Sequence, residues 1–164
     1  MVFTFGKFIV DIDIEKNRTF YQTAEALTVG CNCNGCANFE KAADLFPELV
    51  REFFRGLGVD PKKPAEVYVN CSEDGGKRLF YGGFYHLCGT VLDDKNAWIS
   101  QEVDGITIVS CINEDYLYEI ADGYCVIFGD GGDALLEDGF PEPVITMDIE
   151  FHVPWVLDEE NTYK

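Results

Sequence analysis

Cys31, Cys33 and Cys36 stand within six residues of one another, in the stretch Gly30-Cys-Asn-Cys-Asn-Gly-Cys-Ala-Asn. Three thiols at this spacing supply three soft ligands, whereas a structural zinc site takes four. The fourth would come from His86, Cys88 or Cys71, so the candidate metal set is Cys31, Cys33, Cys36 and His86, with Zn2+ as the candidate cofactor. A second chemistry is thiol redox, because Cys36 lies near a predicted helix start, where the helix dipole favours thiolate. A third reading has the thiols packing as small hydrophobes in a tight loop, with Asn32, Asn34 and Gly35 serving the turn. The spacing alone leaves all three open.

Tyr81-Gly82-Gly83-Phe84-Tyr85-His86-Leu87-Cys88-Gly89 is the other unusual stretch. On a strand, His86 and Cys88 share a face with Phe84, which allows a Cys–His nucleophilic pair, the basis of a hydrolase reading. A histidine on a half-buried face has many structural uses as well. Cys71, Cys88, Cys111 and Cys125 each fall in a β-rich run and are expected to fill core space. Asp11-x-Asp13-x-Glu15 lacks the glycine and distal glutamate of a calcium loop, and strand alternation explains its spacing. Phosphate loops, dinucleotide fingerprints and nucleophile elbows are absent, and no catalytic residue is assigned.

The 164 residues carry 30 acidic against 12 basic side chains, a net charge of −18. That field disfavours nucleic acid and anionic membranes and favours encounter with a basic protein. Seven cysteines, an odd number, cannot all pair internally. With no export signal in the opening residues, reduced thiols and a cytoplasmic location are expected.

These groups need positioning elements. Residues 2–14 alternate as a strand with a slip at Gly6 that would mark a bulge, Lys16-Asn17-Arg18 reads as a turn, and Thr19 to Val29 reads as a second strand. After the cysteines, Phe39, Ala42, Ala43 and Phe46 fall at helical spacing behind Asn34 as N-cap. A second helix starts at Pro47, carries the stripe Leu49, Val50, Phe53, Phe54 and Leu57, and ends at Gly58. From Glu66 the chain becomes short β runs separated by turns, with hairpin signals at Asp104-Gly105 and Asp122-Gly123. The last strand, Val144 to Val153, alternates strictly, leaving Asp148 and Glu150 on an acidic face. The expectation is an α+β fold over 1–164, a single compact domain: two short helices in the N-terminal half packed on a largely antiparallel β-sheet meander.

From Gly30 to Gly89 the chain resembles a group of bacterial proteins of unassigned function. The resemblance rests on Cys-x-Cys-x-x-Cys-x-Asn-Phe, Leu57-Gly-Val-Asp-Pro-Lys-Lys-Pro-Ala-Glu-Val67 and Tyr81-Gly-Gly-Phe-Tyr-His86. It implies no activity. Charge and the missing catalytic motifs favour an acidic protein-binding module, an inhibitor or immunity-type protein for a basic partner. Its surface would be Tyr81, Tyr85, Tyr116 and Tyr118 with Asp148 and Glu150. The alternative is a small zinc-binding or thiol-redox protein built on Cys31, Cys33 and Cys36.

Overall fold

Gly6, at a φ of +59°, turns the chain back on itself, so that Val2–Phe5 (β1) and Phe8–Ile12 (β2) form a hairpin and not one bulged strand. A computed structural model describes residues 1–93, 97–131 and 134–163, and only the backbone of 98–101 and 107–112. Asp13 then caps a helix, its carboxylate accepting from the Lys16 amide at 3.1 Å. That helix, α1 (Ile14–Thr23), replaces the turn and second strand expected there. The reason is Asn17. Its side chain is wholly buried; Nδ2 donates to the Leu57 carbonyl at 2.9 Å and Oδ1 accepts from the Cys88 amide at 2.7 Å. A residue read as turn-forming thus joins a helix to both the sheet and a second helix.

A short turn of helix, α2 (Leu27–Gly30), leads to α3 (Asn34–Ala42), a 3-10 turn at Ala43–Leu45 and α4 (Glu48–Leu57). The C-terminus of α4 matches expectation: Gly58, at a φ of +73°, returns its N–H to the Phe54 and Arg55 carbonyls, a left-handed cap that glycine adopts freely. Val50, Phe54 and Leu57 are buried, whereas Leu49, expected in the stripe, is exposed. Among the described residues the α-helices number four where the periodicity predicted two.

The strands continue as β3 (Glu66–Glu73), β4 (Arg78–Asp93), β5 (Trp98–Val103), β6 (Ile106–Ile112), β7 (Tyr118–Ala121), β8 (Tyr124–Gly129) and β9 (Val144–Pro154). The architecture is α+β, and among the described residues every strand pair is antiparallel. The main sheet runs β1-β2-β4-β9-β8-β7, with β3 also on β4, while β5 and β6 pair separately. The meander is therefore a set of hairpins tied together by β9, which returns between β4 and β8. Phe39 packs on Tyr81, Phe46 and Phe54 pack on Phe151, and Phe54 packs on Tyr85. This aromatic seam seats α3 and α4 on one sheet face, and it fixes where the cysteines before α3 must lie.

Candidate metal centre

Cys33, not Asn34, caps α3: its Sγ accepts from the Cys36 amide at 3.4 Å. A cap contact of this kind turns the chain so that residues one turn apart share one end of the helix. Cys31 donates to the Cys33 sulfur at 3.3 Å. All three Sγ atoms lie within 4.8 Å of one another. Among the described residues no histidine, cysteine, aspartate or glutamate joins them as a fourth donor.

The three thiols differ in environment. Cys33 is exposed, Cys31 half-buried and Cys36 buried. Burial pushes the Cys33 thiol up, but the Cys36 amide, the Cys31 and Cys36 thiols and the Tyr163 hydroxyl all favour its thiolate and bring its pKa down to about 7. Burial, with the neighbouring sulfurs, pushes Cys36 well above the ordinary thiol range. The outer sulfur of the cluster is thus the first to ionise, with a thiol beneath it that holds its proton.

Two residues without any reading in the sequence hold this arrangement. Tyr163 Oη accepts from the Gly35 amide at 3.1 Å and lies against Cys33. Asn38, fully buried, ties α3 down: Nδ2 donates to Tyr81 Oη at 3.2 Å and to the Pro154 carbonyl at 3.1 Å, and Oδ1 accepts from the Val156 amide at 2.7 Å. Asn38 stands inside the Cys-x-Cys-x-x-Cys-x-Asn-Phe stretch, so its spacing was a usable signal. Tyr163 reaches Gly35 across 128 positions of chain, and no local pattern announces that.

His86 does not join the thiols. Its ring is buried on the opposite sheet face from α3 and α4, against Phe84 and Phe140. Burial lowers its pKa, a hydrogen bond to the Ala134 backbone raises it in part, and Nε2 has no partner among the described residues. The Cys–His pairing fails too, since the Cys88 thiol donates to the Glu142 carbonyl at 3.3 Å. Cys71, expected in the core, is exposed, and Cys125 is half-buried; the side chain of Cys111 lies outside the described residues.

No family model, curated protein or solved structure matches the chain.

The expected tyrosine surface is largely internal. Tyr81 and Tyr85 are fully buried, their hydroxyls donating to the Gly35 and Pro61 carbonyls at 2.8 and 2.7 Å. The strand parity that predicts alternation does not say which face the helices cover, and they cover this one. Tyr116 and Tyr118 are half-buried among Phe5, Phe8 and Phe53. Asp148 and Glu150 occupy the other face of β9 and are half-buried; burial raises Asp148 to about 6 and raises Glu150. Among the described residues no helix is long and apolar enough to cross a membrane.

Proposed function

We propose that this chain binds a thiophilic metal ion, Zn2+ in the first instance, through Cys31, Cys33 and Cys36. The mutual placement of three sulfurs within 4.8 Å carries the reading. With zinc–sulfur bonds of about 2.3 Å, sulfurs around one tetrahedral ion stand about 3.8 Å apart. The cluster therefore reaches ligating geometry through side-chain rotation at a helix end already anchored by Asn38 and Tyr163. Three protein ligands leave one coordination position open. Two further features support the site: Cys33 is lowered to about 7, so one ligand is ready near neutral pH, and the net charge of −18 concentrates cations near the surface.

Cobalt(II) substitution of the reduced chain tests the reading. The expected result is a sulfur-to-metal charge-transfer band saturating at one equivalent and lost in Cys33→Ser. A spectrum of oxygen- and nitrogen-ligated cobalt, identical in the variant, counts against it.

The binding-module reading keeps the net charge and the half-buried pair Asp148 and Glu150 in its favour but loses Tyr81 and Tyr85 to the core. The thiol cluster is the better supported of the two.

A further inference from the structure

We propose that Cys33 and Cys36 form a dithiol that exchanges with disulfides carried on cationic molecules, Cys33 attacking and Cys36 resolving. The proposal uses the same thiols as the metal site but does not rest on metal binding. Its basis is a division of labour visible in the geometry. Cys33 is exposed and Cys36 is buried beneath it, so an incoming disulfide meets Cys33 first. The Cys36 amide points at the Cys33 sulfur at 3.4 Å and the Cys31 thiol donates to it at 3.3 Å, an arrangement that favours the anionic nucleophile. Residues at i and i+3 across a first helical turn lie about 5–6 Å apart at Cβ, and the Cys33 and Cys36 sulfurs already stand within 4.8 Å. Closing the S–S bond draws the two Cβ atoms in to about 3.5–4.5 Å, which takes a movement of the exposed cap residue Cys33 towards Cys36.

The chemistry balances without further reagents. Cys33 thiolate attacks one sulfur of the substrate disulfide, the substrate S–S bond breaks, and one substrate half leaves as thiolate. The Cys36 thiol then gives its proton to that thiolate and attacks Cys33 Sγ, expelling the second half, which takes the proton that Cys33 had released to solvent. The pair Cys33–Cys36 is oxidised by two electrons and the substrate is reduced to two thiols. Cys31 is a positioning residue, donating to the attacking sulfur. The preference for cationic substrates follows from the net charge of −18, which attracts a dication and repels a dianion at low ionic strength.

The exposed Cys71 thiol is an internal reference without a neighbouring sulfur donor among the described contacts. The test uses the reduced, chelator-treated full chain, with cystamine as the dicationic disulfide and oxidised glutathione as the anionic one, read by mass mapping over time. Expected are at least tenfold faster modification at Cys33 than at Cys71 and a Cys33–Cys36 disulfide as the end product. Cys36→Ser should stop at a mixed disulfide on Cys33, while Cys31→Ser should still close the bond. Added salt should slow cystamine and speed oxidised glutathione. A Cys31–Cys33 end product, equal rates at Cys33 and Cys71, or salt effects of the same sign for both disulfides each overturn the proposal. Because metal is absent throughout, none of these outcomes bears on the metal reading.

Discussion

Asn38→Ala separates the anchoring of the thiol helix from the stability of the whole fold. The side chain makes three hydrogen bonds, to Tyr81, Pro154 and Val156. At about 1 kcal/mol each, with the buried Tyr81 hydroxyl still donating to Gly35, the loss comes to about 3 kcal/mol. For a chain of this size that lowers Tm by about 6–12 °C. The loss falls on the seam between α3, β9 and the segment after it, so local opening around Cys36 becomes easier by a similar amount. Labelling of the Cys36 thiol under native conditions should therefore accelerate by about 100-fold. Asn17→Ala is the comparison, because it removes two buried hydrogen bonds, to Leu57 and Cys88, that involve neither α3 nor the three clustered cysteines and should cost about 2 kcal/mol. It should lower Tm yet change Cys36 labelling less than threefold. The assay is thermal unfolding by circular dichroism alongside mass-resolved alkylation. Equal acceleration in both variants, or none in Asn38→Ala, refutes the assignment of Asn38 as the local anchor.

In Gly35→Ala the new Cβ would lie 2.6 Å from Tyr163 Oη and 3.0 Å from Val69 Cγ2, so the phenol must move off Cys33. The Cys33 titration midpoint, read from thiolate absorbance, should rise from about 7 toward the ordinary thiol value, and an unchanged midpoint contradicts the role given to Tyr163. Burial holds Asp148 at about 6 against an ordinary 3.8. Between those values the folded state keeps a proton that the unfolded chain has lost, so this group's contribution falls as pH rises from about 4 to 6, by on the order of 3 kcal/mol. His86, whose pKa burial lowers, acts in the opposite sense, losing stability as pH drops below about 6.5. Asp148→Asn should weaken the first trend in urea unfolding series, leaving the part that Glu150 contributes, and a pH dependence identical to the parent protein rules the assignment out. Zinc affinity, measured by chelator competition, should climb between pH 7 and 8 because the thiol ligands, Cys36 above all, must give up their protons; a flat profile contradicts ligation by these thiols.

Elements punctuated by local chemistry were legible in the sequence. Gly58 ends α4, Asp122-Gly123 joins β7 to β8, and the alternation of β9 is observed as buried Ile145, Met147, Ile149, Phe151 and Val153. The elements that were misread depend on contacts distant in sequence. Lys16-Asn17-Arg18 has turn composition, yet Asn17 finds its partners on Leu57 and Cys88, and a helix results. Tyr81 and Tyr85 sit on a strand whose parity was readable but whose covered face depends on where Phe39 and Phe54 dock. At the site, spacing alone brought the three cysteines together. It wrongly suggested His86 because a strand pattern carries no information on which sheet face meets α3. Tyr163 was invisible because it meets Gly35 across 128 positions of chain.

Zinc titration of the reduced chain, with bound metal counted after removal of excess, decides whether the three cysteines hold a metal ion. One zinc per chain is expected, with proton release on binding, and loss of that zinc when Cys31, Cys33 and Cys36 are together replaced by serine in a variant that keeps its circular dichroism spectrum. A folded parent that retains no zinc, or a triple variant that binds it equally well, would contradict ligation by these cysteines.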